Sequence, residues 1–218
     1  MAERKRPRRT RQRIVETSLA LFNRQGAPHV TTAEIADEMG ISPGNLYYHF
    51  RNREEIVGEL FAAFERRLED LFAAPADRLA DVEDVWLFLH LLFEAMWDYR
   101  FLYRDLDEIL SRSDKVSARF LRLMRRIRQT MFALCGSMVA AGTMRASEGE
   151  IAALADNASL VATYWMSYQK FAASEPGNDE VSLDRAAYQV LSLIAPFLQG
   201  PSRALLTQLS RNYLSADC

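Results

Sequence analysis

Residues 30–57 read VTTAEIADEMGISPGNLYYHFRNREEIV, and the fold turns on them. Thr31 can cap a helix, Glu34 three residues on completes a capping box, and Val30 and Ile35 can close a hydrophobic staple across it. The helix so begun is short, because Gly40 ends it; Ile35, Ala36 and Met39 form its buried side. Ser42 and Pro43 start another at once, since serine is a good N-cap and proline fits the first helical position. Leu46 and Phe50 share one face of this second helix and point inward. Asn52 then caps a long helix, with Glu55 completing a second capping box. Two short helices joined by a tight glycine-containing turn make a helix-turn-helix, whose second helix enters the major groove of DNA.

The faces left over on that second helix suit the task. Gly44 lets the backbone approach closely, and Ser42 and Asn45 can hydrogen-bond to base edges or phosphates. Tyr47, Tyr48 and His49 offer flat rings with polar tips, fit for thymine methyls and phosphates. Five residues from Tyr47 to Arg51 cannot all face inward on one helix, so some of these aromatics are expected at the surface, where a cluster favours binding.

Upstream, a helix is expected from Thr10, with Val15, Leu19 and Phe22 on one apolar stripe and Gly26 and Pro28 stopping it. Met1–Arg9 carries Arg4, Lys5, Arg6, Arg8 and Arg9 and reads as a flexible arm; a phosphate-binding arm and a solubilising tail both fit. Up to Arg53 the chain has 10 Lys+Arg against 5 Asp+Glu, and from Glu54 onward 17 against 24. A basic head on an acidic body suggests a phosphate-facing end and a separate body, although the whole carries only −2.

Between Ile14 and about Val57 the sequence resembles the tetracycline-repressor (TetR) family. The resemblance rests on Ala20-Leu21-Phe22, Gly26, Val30-Thr31-Thr32, Ile35-Ala36, Gly40-Ile41-Ser42, Gly44, Leu46-Tyr47-Tyr48-His49-Phe50 and Arg53-Glu54-Glu55-Ile56-Val57. It implies that Thr32 contacts phosphate, that Ala33 approaches a base, and that Ser42, Gly44 and Asn45 face the groove. It further implies that Tyr47, Tyr48 and His49 contact phosphate and base methyls. Arg53 stands where the family usually has lysine; its charge is kept, and its backbone N–H at a helix start can also grip phosphate. The family also implies a helical C-terminal domain that binds a small effector and dimerises. The expected division is a DNA-binding domain over 1–55 and an effector-binding, dimerising domain over 56–218.

The body reads as all-helical. Of 218 residues 49% are apolar, and only 9 glycines and 7 prolines interrupt them. Helices are expected over 52–72, 81–99, 101–111, 114–141, 151–173 and 182–199, with a short one after Gly200-Pro201. Helices 151–173 and 182–199 look apolar on two sides and so need covering twice. The expected cover is the same pair from a second copy, through Leu160, Tyr164, Phe171, Val190, Ile194 and Phe197. Trp86, His90, Phe93, Trp97, Met124, Met131, Tyr164 and Trp165 are aromatic and methionine-rich enough to line a pocket for a mostly apolar ligand; plain core is the other reading.

Other function classes find no support. There is no P-loop, GxSxG elbow, catalytic carboxylate pair or dinucleotide turn, so neither an enzyme nor a cofactor is expected. No metal site is expected, because His90 has no second ligand at metal spacing. Cys135 and Cys218 are not a disulfide framework, and Cys135 reads as core. With no bilayer-length apolar run and no signal peptide, a cytoplasmic protein is expected. The expectation is therefore a dimeric regulator that reads a palindromic double-stranded operator and is released by a small effector. A helical architectural or interaction protein that binds DNA without an effector is the alternative.

Overall fold

The computed structural model describes residues 5–72, 78–172 and 183–211. Eleven α-helices run along them: α1 Lys5–Gln25, α2 Thr32–Glu38, α3 Pro43–His49, α4 Arg53–Leu68, α5 Val82–Asp98, α6 Phe101–Arg104, α7 Leu106–Arg112, α8 Asp114–Ala140, α9 Glu148–Ala172, α10 Leu183–Ile194 and α11 Gly200–Arg211. Short 3-10 turns follow α1, α4 and α10, at Ala27–His29, Glu69–Phe72 and Ala195–Phe197. Among the described residues no helix is long and apolar enough to cross a membrane. Nor, among them, is there a His/Cys/Asp/Glu group able to hold a metal ion.

The chain forms two compact units. The first runs to Arg67 and takes in Tyr99–Phe120; the second comprises Leu68–Asp98 and the chain from Leu121 on. Compactness thus does not follow the division expected at 55: most of α4, all of α6 and α7 and the start of α8 group with the head.

In the first unit, α1 presents Ile14, Ser18, Leu21 and Phe22 as its buried side, while Val15 and Leu19 are only half-buried. The stripe is turned from the expected one because Phe22 packs on Phe101 of α6, ring centroids 5.3 Å apart. Ile35, Ala36, Leu46 and Phe50 are buried, and Met39 stays half-buried at the helix end. Phe61, Phe64, Tyr103 and Phe120 build an aromatic cluster with centroids about 6 Å apart, a separation that suits edge-to-face packing.

In the second unit, α10 packs against α9 and α5, and α11 against α5. The helix expected over 182–199 stops at Ile194, because Pro196 has no N–H to donate to the turn before it and its ring crowds that turn. Val190 and Ile194 are fully buried within this unit. They are therefore not surface residues, which corrects their expected place at a dimer interface. The physical reason is a polar stripe, Arg185, Gln189 and Ser192, which takes the solvent side of α10. Cys135 is buried, and burial pushes its thiol up to about 11, as fits a core residue.

Candidate nucleic-acid interface

The Thr31 capping box, the Gly40 turn and the Ser42 cap expected around the two short helices are formed. Thr31 Oγ1 accepts the Glu34 N–H at 3.2 Å, and Glu34 Oε2 accepts the Thr31 N–H at 2.7 Å and its hydroxyl at 2.8 Å. Those bonds hold the Glu34 carboxyl below the usual carboxylate range, the backbone bond most of all. Gly40 ends α2 at φ +63°, donating to Asp37 O while Ile41 N–H reaches back to Ala36 O, both at 2.9 Å. This is the Schellman closure, and its left-handed residue favours glycine. Ser42 Oγ accepts the Asn45 N–H at 3.2 Å to start α3. Asn52 caps α4 through the Glu55 N–H at 2.9 Å; the return bond from Glu55 goes to the Arg51 N–H at 2.8 Å, one residue short of the expected box.

With Leu46 and Phe50 pinned inside, the remaining faces of α3 are turned out. Ser42, Gly44 and Asn45 are exposed, Tyr47 is 53% and Tyr48 79% exposed, and His49 is half-buried. Ala33 is exposed and Thr32 half-exposed at the start of α2. Thr32 Oγ1 and Tyr47 Oη lie 3.1 Å apart, joining the two helices at their outer edge. His49 meets Tyr48 edge-on at 5.1 Å. Burial, and then the Arg11 charge, hold the imidazole below its usual value. Arg11 itself lies 4.5 Å over the Phe50 ring and pairs with Glu59 of α4 at 2.9 Å.

Arg53 behaves differently from the rest. Its guanidinium donates to Ala27 O at 2.6 Å and Pro28 O at 3.0 Å, and its side chain is only 17% exposed. The charge that the resemblance keeps at this position is taken by the carbonyls of the turn after α1. Its backbone N–H still opens α4.

The arm is corrected in part. The helix begins at Lys5, not Thr10, and Met1–Arg4 lie outside the described residues. Arg9 and Arg13 are exposed along α1.

The residues expected to line a pocket are spread across the second unit. On α5, Phe93 is buried, Trp86 and His90 are half-buried and stacked at 5.2 Å, and Trp97 is at the surface. The Trp86 indole N–H is buried with no hydrogen-bond partner among the described residues. Met131 is buried on α8, and Met124 accepts the Thr163 hydroxyl at 3.7 Å. Trp165 rests against Tyr168 at 5.7 Å, while Tyr164 is exposed. Of the residues expected at a dimer face, Leu160 and Tyr164 share the outer side of α9; Phe197 is half-buried, and the Phe171 side chain lies outside what is described.

A half-buried pair of short helices presenting polar and aromatic side chains outward defines a helix-turn-helix DNA-binding protein. Known proteins narrow the class. The family model described as bacterial regulatory proteins of the tetR family matches residues 14–60, and the one described as a TetR bacterial transcriptional repressor matches 63–206. The chain belongs to the TetR family of bacterial transcriptional regulators, which are not enzymes. A crystal structure of a TetR-family regulator from Marinobacter aquaeolei VT8 is 33% identical, covers 94% of this chain and 98% of that one, and superimposes with a TM-score of 0.83. An uncharacterized regulator of Pseudomonas putida, TtgW, is 30% identical over 53% of this chain and 92% of its own. A putative regulator from Saccharomonospora viridis, solved in complex with choline, shares the fold at 21% identity and TM-score 0.65, covering 88% of this chain and 99% of that one.

Proposed function

We propose that this regulator binds a palindromic operator as a homodimer and is released from it by a small, mostly apolar effector. DNA would be met by Thr32 and Ala33 of α2, by Ser42, Gly44, Asn45, Tyr47, Tyr48 and His49 of α3 and its cap, and by the backbone N–H of Arg53. The observation that carries this reading is the exposure of Tyr47 and Tyr48 on a helix whose Leu46 and Phe50 are fully buried. Large rings stay in water on a well-anchored helix when they serve a partner.

Support for an effector comes from the second unit. Among the described residues the buried Trp86 N–H has no hydrogen-bond partner. A buried unpaired donor is costly, and a ligand acceptor would satisfy it. The choline complex shows that a protein of this fold holds a small molecule. Release is then a population shift: an effector that prefers a head spacing the operator does not fit draws the protein off DNA. DNA weakens effector binding by the same factor. Binding to bacterial DNA would put the protein in the cytoplasm.

The test is selection of binding sites from random duplex DNA at physiological salt, followed by titration of Tyr48→Ala on the selected site. A palindromic motif should emerge, and the variant should bind it with at least about tenfold lower affinity and an unchanged thermal midpoint. Absence of any motif, or equal binding by Tyr48→Ala, would remove the assignment of α3 as the recognition helix.

A further inference from the structure

The turn after α1, residues 26–30, sets where α2 begins and so where α3 points. Side chains from far along the chain hold it. Asp105 Oδ2 accepts the Ala27 N–H at 2.8 Å. Arg104 donates to Phe22 O at 2.5 Å and Asn23 O at 3.1 Å, two carbonyls in the last turn of α1. Asn23 Oδ1 in turn accepts the Phe101 N–H, which opens α6, at 3.1 Å. From the other side Arg53 holds Ala27 O and Pro28 O, and it pairs with Glu108 of α7 at 3.6 Å. The packing is close. Gly26 has φ +97°, and a Cβ there would lie 3.3–3.5 Å from His29, Asp105 and Arg104.

We infer that Asn23, Arg104 and Asp105 are positioning residues for DNA binding: a polar clasp by which α6 and α7 hold the α1–α2 turn, and through it the recognition helix, in the pose an operator requires. The inference rests on the DNA-binding reading above. Three physical points carry it. Carbonyls at the end of a helix run short of partners; the Arg104 guanidinium supplies one to Asn23 O, adds a second to Phe22 O beside the Gly26 N–H, and meets the negative end of the helix dipole. The Ala27 N–H has a carboxylate as its acceptor, so this is a charge-assisted bond, among the stronger kinds. The clasp also touches none of the exposed residues of α3, so it can act on DNA only through the backbone it holds. In sequence α6 follows α5 with only Tyr99 and Arg100 between them, so the clasp is tied along the chain to the helix that carries Trp86, His90, Phe93 and Trp97.

The test uses the full chain, the selected operator and three variants: Asp105→Ala, Asp105→Asn and Asn23→Ala. Asparagine keeps an oxygen that can accept the Ala27 N–H; alanine does not. Asp105→Ala should speed amide hydrogen exchange at Ala27 and through α2 and α3, and weaken operator binding about tenfold, or about 1.4 kcal/mol. Binding to random DNA at low salt should hold, and Asp105→Asn should recover most of the operator affinity. Asn23→Ala, which removes the acceptor of the Phe101 N–H, gives the same pattern in milder form and stands in should Asp105→Ala fail to fold. Exchange quickened at Ala27 alone, with α2 and α3 unchanged, overturns the clasp. So does unchanged operator affinity, or equal loss on operator and random DNA. If the unaltered protein selects no operator, the DNA-binding reading fails, while the exchange measurement still decides whether the clasp orders the two helices.

Discussion

His49 ends α3 with its ring half out of water, and burial and the Arg11 charge hold it below the ordinary histidine value. The free protein therefore carries it neutral near pH 7. A phosphate beside it in a complex would favour the cation and raise the value, so binding would take up a proton. Operator affinity should then rise as the pH falls from 7.5 toward about 6, the range in which histidine titrates, with salt held constant. His49→Gln should flatten that rise in anisotropy titrations; an equal slope in both proteins would mean that His49 meets no phosphate. The fold itself responds with the opposite sign. With the folded value depressed, the unfolded chain binds the proton first, and stability falls as the pH drops below the unfolded value. The two effects are separable because one is read at saturating folded protein. Arg53 shows what a single residue hides from its sequence. Its position at the start of α4 and its charge were both legible, yet its guanidinium serves the carbonyls of Ala27 and Pro28, about 25 residues away. Nothing local announces such a partner.

At the scale of elements, what could be read was what closes within four residues. The Thr31 box, the Gly40 turn and the Ser42 cap are bonds between near neighbours, and each formed as expected. Thr31→Ala removes the acceptor for the Glu34 N–H and should cost about 1 kcal/mol of stability in thermal or urea unfolding, with α2 losing exchange protection first. A variant as stable as the parent would show that packing of Ile35 and Ala36 alone holds that helix. Elements whose limits depend on partners were read less well. The buried face of α1 turned because Phe101 came from another part of the chain. Residues 182–199 are rich enough in apolar side chains to mask Pro196, a local stop, and Arg185, Gln189 and Ser192, which make α10 one-sided. The Asn23–Arg104–Asp105 clasp had no legible trace, since its bonds span 78 to 82 residues.

For the whole molecule the open question is what covers α9. Its inner side is built of small and apolar residues, among them Ala155, Ala158, Ala162 and Met166, all buried. Its outer side carries Leu160, Tyr164 and Tyr168 at four-residue steps, 58%, 50% and 59% exposed. One exposed leucine or tyrosine needs no explanation, but a row of three on one helix face makes a continuous apolar strip. The same strip on a second copy, related by a two-fold axis, would cover it. An operator with two half-sites needs two heads held together, so this face is the one to break. Tyr164→Glu places a charge in the middle of the strip and, being at the surface of the monomer, should leave its thermal midpoint nearly unchanged. Light scattering at micromolar concentration should show the parent as a dimer and the variant as a monomer. Operator affinity should fall by about 10²–10⁴-fold, the gain that joining two binding heads supplies, while binding to a half-site should hold. Gln189→Glu on the polar side of α10 is the control and should change neither mass nor affinity. A variant that remains dimeric would move the interface away from α9, a parent that is already monomeric would overturn the homodimer, and either would leave the tyrosines of α9 to be explained by another partner.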